Sequence, residues 1–316
     1  MMNKPLIGIS KCLLGENVRY DGGHQLDRFL RDTLGQYVDF VAVCPEVECG
    51  LNIPREAMRL VDIDGAVRLV TRKTNIDMTD RMEKWMAGRL KELRHLPLCG
   101  FIFKAKSPSS GMKRIKIYTD KGGVRHDGIG VFANGFTQAF PLVPVEEDGR
   151  LHDAKLRDNF IERIFVMQRW HEMAAEKKSL GSLMKFHEKH KYLLMAHCSK
   201  TLKTLGAMLA AGKKQQLNAL YESYFDQFIT AMQRIATVKK NTNVLHHIMG
   251  YFKKNLAGDE KAELVEIIER YHSELVPLIV PITLLNHYVR KYQPKYLLDQ
   301  VYLNPHPMEL MLRNHV

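Results

Sequence analysis

The chain has 316 residues, a net charge of +12 and a hydrophobic content of 45%, so it is long enough for two domains with packed cores. No run of about 18 apolar residues occurs, which excludes a predicted membrane span, and the N-terminus lacks the pattern of a secretory signal peptide. The five cysteines do not resemble a secreted disulfide framework and are more typical of metal binding or catalysis. We therefore expect a cytoplasmic protein.

The positive charge is distributed over both halves of the chain. Residues 1–150 contribute +4 and residues 151–316 contribute +8. A basic surface of this kind favours a polyanionic partner, and nucleic acid is the commonest one. The alternative is that the excess lysine only confers solubility, and charge alone does not separate the two interpretations.

Three polar loops in the first half each follow a short, apolar, β-prone run. The runs cover residues 6–9, 40–43 and 101–103, and helix-length segments separate them, which predicts an α/β fold with a mostly parallel sheet. The carboxyl ends of parallel strands share one edge of a sheet, where ligands bind. The residues that we expect at this edge are Cys12, Cys44, Glu46, Cys49, Ser107 and Ser109.

The rest of the first half continues the alternation of strands and helices. Apolar spacing predicts helices over residues 25–34 and 78–96. Short β-prone stretches predict strands at 66–70 and 115–118, and a proline-flanked edge strand at 141–145.

Beyond residue 150 almost every segment has helical periodicity. The predicted helices cover residues 156–175, 179–198, 200–211, 213–236, 241–255, 257–273 and 281–291. We therefore divide the chain into an α/β domain over residues 1–149, with its ligand site at the carboxyl ends of the strands, and an all-α domain over residues 150–316.

The cysteines of the strand-end loops suit a soft metal, either zinc or an iron–sulfur cluster. Three cysteine ligands would leave one iron of a cubane without a protein ligand, open to a substrate atom. The alternative is that Cys44 and Cys49 are buried, small hydrophobic residues. A carboxylate such as Glu46 beside a metal can move protons, or it can form a loop salt bridge with Arg19 or Arg55.

The third loop supplies hydrogen-bond donors through Lys104, Lys106, Ser107 and Ser109. Donors of this kind can hold a polar heterocycle or a phosphate group. The alternative is a turn whose serines cap a helix.

Five sequence blocks of the first half, taken together, resemble the TudS family of thiouracil desulfidases over about residues 4–148. The blocks are Cys-Leu-Leu-Gly at 12–15, Arg-Tyr-Asp-Gly-Gly at 19–23, Cys-Pro-Glu at 44–46, Pro-Arg-Glu at 54–56 and Lys-x-x-Ser-Pro-Ser at 104–109. The resemblance implies a [4Fe-4S] cluster with one iron that the protein does not ligate, and a non-redox removal of sulfur. It also implies catalytic roles for Glu46, Ser107 and Ser109.

The chain departs from this family pattern at the expected third cysteine. That position holds Ser110, whereas Cys49 stands where the family usually has glycine. We expect Cys12, Cys44 and Cys49 to hold the cluster. The alternatives are a cluster held by two cysteines and Ser110, a zinc ion, or no metal.

The second half resembles the YbgA-type helical domain through blocks at 186–197, 243–252 and 296–303. The two-domain combination is similar to desulfidases that act on 4-thiouridine in transfer RNA, so a tRNA or a thiolated nucleoside is the implied partner. Arg19, Lys104, Lys106, Lys189, Lys191, Lys200 and Lys203 are the predicted substrate or RNA contacts.

The histidines of the second half leave several interpretations open. His187 and His190 share a helix face and could form a metal pair, although burial or an RNA-facing groove is the favoured interpretation. Two other functions also stay open. One is an RNA-binding or regulatory module with a structural zinc or a degenerate cluster site. The other is a desulfidase for free thiopyrimidines whose helical domain serves oligomerisation.

Overall fold

The computed structural model describes residues 4–119, 122–212 and 217–315. It divides into two compact units, Met1–Asp153 and Ala154–Val316. The predicted boundary at residues 149 and 150 is four residues earlier. The difference arises because the 3-10 helix Asp148–His152 begins with a buried Asp148, whose carboxylate accepts hydrogen bonds from the Ala105 N–H at 2.6 Å and from Lys104 Nζ at 2.8 Å.

The first unit contains a parallel sheet, as the sequence predicted. Its strands are β1 Leu6–Ser10, β2 Asp39–Val43, β5 Leu98–Phe103 and β8 Val145–Glu147, in the order β2-β1-β5-β8. All six residues of β5 are buried, which is typical of a central parallel strand. Gly8 of β1 is needed at the contact with β5, because a Cβ atom there would lie 2.1 Å from the Phe101 ring.

The first unit also contains a second sheet, which the sequence analysis did not predict. Its strands are β3 Met58–Ile63, β4 Ala66–Thr71, β6 Ile115–Thr119 and β7 Val124–Gly128, in the order β4-β3-β6-β7. The β3–β4 hairpin turns at Asp64 and Gly65, whose φ angles are 52° and 83°. An Asp-Gly pair is the strongest local hairpin signal, so this turn marks the hairpin in the sequence.

Three helices complete the first unit. They are α1 Pro45–Glu48, α2 Thr79–Arg94 and α3 Val131–Ala139. Helix α2 agrees with the predicted helix at 78–96. The segment predicted as a helix over 25–34 instead contains only short π and 3-10 turns, Phe29–Thr33 and Leu34–Gln36. Asp27 explains the late start, since its Oδ1 accepts the Leu30 N–H at 3.1 Å as an N-cap would.

The core of the first unit is an aromatic cluster between the parallel sheet and helices α2 and α3. Phe101 and Phe103 stack at 4.3 Å, and Phe132 and Phe136 of α3 lie against them at 4.7–6.1 Å. Burial of four large rings anchors the sheet to α3. The cluster therefore anchors both ends of the segment between β5 and α3, which includes β6 and β7.

The second unit is helical throughout its described residues. Its helices are α4 Ala154–Ala175, α5 Leu180–Ala211, α6 Leu217–Met232, α7 Val238–Met249, α8 Gly258–His272, α9 Ile279–Tyr292 and α10 Lys295–Leu298. The sequence predicted two helices where α5 lies, and α5 does break at Cys198, which has φ −155° and ψ 95°. Among the described residues, no helix has both the length and the apolar character needed to cross a membrane.

Candidate active site

A cavity of about 390 Å³ opens at the carboxyl ends of the parallel strands. Strands β1, β2 and β5 end at Ser10, Val43 and Phe103. The loops that follow them supply Cys12, Cys44 and Lys104 to the cavity lining. Three segments that are remote in sequence thus meet at one edge of the sheet.

The two thiols in this cavity are buried. Cys12 is 8% exposed and Cys44 is 6% exposed. Burial raises the pKa of Cys12 to about 11, against the opposing charge of Lys104. Burial, together with the charge of Glu46, raises the pKa of Cys44 to about 12. Both residues are therefore neutral thiols at pH 7 in the metal-free protein, and a metal that binds them must displace two protons.

Glu46 links the thiols to the third loop. Its Oε2 accepts a hydrogen bond from Cys44 Sγ at 3.5 Å and lies 3.9 Å from a guanidinium nitrogen of Arg55. Its Oε1 accepts a short hydrogen bond from Ser109 Oγ. The carboxylate lines the cavity, so it can accept a proton from a molecule bound there.

The neighbouring Glu48 has a structural role. Its Oε1 accepts the Cys44 N–H at 3.0 Å, and its carboxylate lies 3.5 Å from Lys11 Nζ and 3.3 Å from Arg89 Nε. These contacts fix the loop that carries Cys44.

The three serines of the third loop have different surroundings. Ser107 Oγ accepts the N–H groups of Ser109 and Ser110 at 3.3 and 3.1 Å, which is a serine turn. Ser109 is fully buried and lies outside the cavity lining. It therefore orients Glu46 rather than contacting a ligand. Ser107 and Ser110 both line the cavity.

Cys49 does not join the other two cysteines. It follows helix α1 as its C-cap, and Cys44 precedes that helix as its N-cap. Its Sγ donates to the Glu46 carbonyl at 3.2 Å, and its side chain packs with Leu51 and Met78 against the core beneath the second sheet. The structure thus assembles Cys12, Cys44 and Ser110 at the cavity, in place of the expected Cys12, Cys44 and Cys49.

The described residues bring no group of three His, Cys, Asp or Glu side chains together at these cysteines. Tetrahedral zinc with bonds of about 2.3 Å needs sulfurs about 3.8 Å apart. Within residues 4–119, 122–212 and 217–315, three His, Cys, Asp or Glu side chains whose ligand atoms all lie within 4.8 Å occur only at Asp158, Glu162 and His306. No set of three that includes the cavity thiols meets that limit.

Cations dominate the charge of the cavity lining. They are Lys11, Arg19, Arg55, Arg72, Lys104 and Lys106, against Glu46 and Glu56. Several are paired, as Lys104 is with Asp148 at 2.8 Å and Arg19 with Asp21 at 3.6 Å. Arg72 and Lys106 are exposed and form no ion pair with the described residues. Two positive charges are therefore available to an anionic group.

Sequence reasoning missed Arg72 and Asp148 as parts of this site. Arg72 follows β4, in the sheet that was not predicted, so no motif pointed to it. Asp148 immediately follows β8, and the rule that ligands bind at the carboxyl ends of parallel strands could have identified it.

Comparison with known proteins assigns both halves of the chain. Residues 7–148 match the family model of 2-thiouracil desulfurase, and residues 191–307 match a family described as a protein of unknown function, DUF1722. Each match covers less than half of the chain, so the first half is similar to 2-thiouracil desulfurases and the second half to DUF1722 proteins. The match over residues 7–148 supports a desulfidase enzyme.

Each of the individual relatives covers half of the chain or less. The uncharacterized protein YbgA of Escherichia coli (strain K12) is 27% identical over 158 residues, which is 50% of this chain and 94% of YbgA. The uncharacterized protein YbbK of Bacillus subtilis (strain 168) is 28% identical over 112 residues, or 34% of this chain and 73% of YbbK. A solved structure of the [4Fe-4S]-dependent thiouracil desulfidase TudS is 29% identical and covers 48% of this chain and 95% of its own, with a TM-score of 0.39.

The second unit places the predicted RNA contacts on α5. Lys189 lies 3.3 Å from Asp299, whereas Lys200 and Lys203 are exposed. Lys191 Nζ lies 5.5 Å from the ring of Tyr192 and 5.7 Å from the ring of Tyr296, within cation–π range. Lys213 and Lys214, which belong to the same basic stretch of sequence, lie outside the described residues.

The histidines of α5 do not form a metal pair. His187 Nδ1 bonds Tyr224 Oη at 3.0 Å, and His190 Nδ1 bonds the Phe186 carbonyl at 2.8 Å. Burial, with the nearby charge of Arg169, lowers the pKa of His190 to about 3. His190 is therefore a neutral core residue at pH 7, in line with the favoured interpretation of the sequence.

A second cavity, of about 360 Å³, lies within the second unit. Glu162 lines it and is 5% exposed. Its carboxylate accepts hydrogen bonds from His197 Nε2 at 3.0 Å and from Arg313 at 2.8 Å. Burial alone would raise the pKa of Glu162, but the His197 hydrogen bond and the Arg313 charge hold it at about 2.

Proposed function

We propose that this protein hydrolyses the thiocarbonyl group of 4-thiouridine in transfer RNA, using an iron–sulfur cluster bound at the thiol cavity. One observation carries the proposal. In a chain whose first half is similar to 2-thiouracil desulfurases, the thiols of Cys12 and Cys44 and the carboxylate of Glu46 line one cavity.

The donor set of the cavity is compatible with a [4Fe-4S] cluster. Cys12 and Cys44 supply two soft sulfur donors from two different loops, and Ser110 adds an oxygen donor from a third. Soft thiolates select iron–sulfur clusters over hard cations such as magnesium. When bound, such a cluster supplies a Lewis acid for the sulfur of the substrate.

The side chains of the cavity then have defined tasks. Glu46 accepts a proton from a water molecule as the water oxygen bonds to C4 of the base. Ser109 and Arg55 hold the Glu46 carboxylate in place. The C4–S bond breaks, sulfur leaves as hydrosulfide and C4 keeps the oxygen, so the reaction is a hydrolysis without net electron transfer.

The charge of the cavity supports a substrate with a phosphate group. Free thiouracil offers no anionic group to Arg72 and Lys106, whereas a nucleotide or an RNA strand does. Lysine and arginine contacts with phosphates position a nucleic acid without reading its sequence. The cavity therefore favours a nucleotide or RNA over the free base.

An aromatic and basic surface of the second unit supports RNA over a mononucleotide. Tyr251 and Tyr296 stack at 5.4 Å with an interplanar angle of 4°, and Tyr251 is 40% exposed. Lys191 lies over the edge of this pair. An exposed aromatic ring beside a cation is a platform on which unpaired bases stack.

Anaerobic purification followed by iron and sulfide analysis and a turnover assay tests the proposal. The substrates are 4-thiouridine-containing tRNA, 4-thiouridine monophosphate and thiouracil, and the products measured are uridine or uracil and hydrosulfide. We expect the tRNA to react with the highest kcat/KM, and its KM to rise steeply with added salt. Equal kcat/KM values for thiouracil and tRNA would favour a scavenger of free bases, and a fully loaded protein inert on all three substrates would contradict the proposal.

A further inference from the structure

The cavity of the first unit contains two thiols and one hydroxyl where three equivalent donors are expected. Cys12, Cys44 and Ser110 line it, and each is less than 10% exposed. Cys49 does not line it. The question is therefore which residue supplies the third ligand to the proposed cluster.

The geometry of helix α1 keeps Cys49 away from the cavity. Cys44 and Cys49 cap opposite ends of this four-residue helix, and the five residue steps between them correspond to a rise of about 7.5 Å along the axis. The Cys49 carbonyl is fixed by Arg81 Nε at 2.7 Å, and its thiol bonds the Glu46 carbonyl at 3.2 Å. Turning this thiol to the cavity would break its bond to the Glu46 carbonyl and its packing against the core of the second sheet.

Ser110, in contrast, is held at the cavity by the start of helix α3. The Phe132 N–H donates to the Ser109 carbonyl at 2.8 Å, so the loop satisfies the free N–H groups at the helix N-terminus. Gly130 allows this approach, because a Cβ atom there would lie 2.6 Å from the carbonyl carbon of Ser109. The backbone beside Ser110 is therefore rigid.

The hydroxyl of Ser110 is available for ligation. Its backbone N–H donates to Ser107 Oγ at 3.1 Å, but its Oγ forms no hydrogen bond with any described residue. Ser110 lines the cavity, so this oxygen is accessible to a metal bound there.

We propose that the Ser110 oxygen is the third protein ligand of the cluster and that Cys49 is not a ligand. This inference rests on the proposed function. On ligation the hydroxyl proton is released to solvent and an Fe–O bond forms, with no change in electron count. Oxygen is a harder donor than sulfur, so this cluster should be more labile than one held by three thiolates and should have a different reduction potential.

Four full-length proteins test the assignment: the wild type, Ser110→Ala, Ser110→Cys and Cys49→Ala. Each is reconstituted anaerobically with ferrous iron and sulfide. The measurements are iron per chain, the rate of iron loss to a chelator and the reduction potential. Thermal melting of each apoprotein checks that the variant is folded.

We expect Cys49→Ala to match the wild type in all three measurements. Ser110→Ala should lose iron at least about 10-fold faster than the wild type, and Ser110→Cys should lose it at least about 10-fold more slowly. Ser110→Cys should also shift the reduction potential, which a residue with a purely structural role would not do.

Two results would overturn the assignment while leaving the proposed function intact. One is a Ser110→Ala protein that retains iron like the wild type, and the other is a Cys49→Ala protein that loses it. If Ser110→Ala does not fold, an unchanged potential and iron-loss rate in Ser110→Cys would overturn it instead. A wild-type protein that binds no cluster would overturn both the assignment and the proposed function, so the two failures are distinguishable.

Discussion

Glu46 and Glu162 are carboxylates beside cavities, one in each domain, and their partners differ. Glu46 accepts from a thiol and a hydroxyl, and its nearest cation, Arg55, is 3.9 Å away. Glu162 is held between His197 at 3.0 Å and Arg313 at 2.8 Å. Glu46 is therefore bonded by neutral groups, whereas the Glu162 carboxylate is in direct contact with the Arg313 guanidinium.

This contrast separates a reactive site from a structural one. Groups that exchange protons in catalysis cannot be fully neutralised by fixed cations. A buried carboxylate without cations would destabilise the fold. Changes at Glu46 should therefore reduce turnover, and changes at Glu162 should reduce stability.

The largest expected effect comes from the cavity thiols. Cys12→Ala or Cys44→Ala should abolish both iron binding and turnover, because each removes a soft donor that nothing nearby replaces. Iron analysis and the turnover assay measure this. Cys99→Ala is the matched control, since Cys99 is a buried thiol of β5 whose Sγ donates to the Pro97 carbonyl and which does not line the cavity, and it should keep its iron. Normal iron loading in Cys44→Ala would contradict the assignment of Cys44 as a ligand of the cluster.

Glu46→Gln should lower kcat by about 10²- to 10⁴-fold, the usual contribution of a general base. The amide is close in shape to the carboxylate and should leave iron content unchanged, so kcat and iron per chain are measured together. Glu56→Gln is the control. Glu56 lines the same cavity, but its carboxylate is occupied by Thr74 at 2.8 Å. A Glu46→Gln enzyme with wild-type kcat would remove Glu46 from the mechanism.

Glu162→Gln should cost about 3–5 kcal/mol in the free energy of unfolding, because it leaves Arg313 without its buried counter-ion. Denaturant unfolding of the full chain measures the loss, and iron content should not change. Glu266→Gln is the control, since it removes an exposed ion pair with Arg270 and should have a small effect. Equal free energies of unfolding for Glu162→Gln and the wild type would show that the Glu162–Arg313 pair does not stabilise the fold.

The same carboxylate predicts how stability depends on pH. The pKa of Glu162 in the folded state is about 2, below its ordinary value of 4.5. Its stabilisation is therefore fully present above about pH 4.5 and is lost as the pH falls through about 2. Unfolding at several pH values tests this, and Glu162→Gln should lose less stability in acid than the wild type.

The contrast also explains how much could be predicted from the sequence. The apolar runs at β1, β2 and β5 predicted a parallel sheet. Strands β1 and β5 are buried on both faces and the edge strand β2 only in part, and the position of the loops after them predicted a site. The position of Cys49 outside the cavity could not be predicted from the sequence, because it depends on helix α1 beginning at Pro45 and lasting one turn. Nor could the partners of Glu162, because Arg313 lies 151 residues away in the sequence.

The smallest expected effect concerns the two cations of the cavity that have no carboxylate partner among the described residues. Arg72→Gln or Lys106→Gln should each raise KM for 4-thiouridine monophosphate by about 3- to 5-fold, the value of one exposed charge pair. KM for the uncharged nucleoside 4-thiouridine should not change, because it has no phosphate group to bind. Added salt should reduce the difference between variant and wild type, since exposed charges are screened.

Lys73→Gln is the matched control for this pair. Lys73 is exposed, adjoins Arg72 in the sequence and does not line the cavity. It should leave both KM values unchanged. If Arg72→Gln raised KM equally for nucleotide and nucleoside, the side chain would contact the base or ribose rather than a phosphate. The electrostatic argument for a phosphorylated substrate would then lose its basis, although the thiols and Glu46 could still act on the thiocarbonyl.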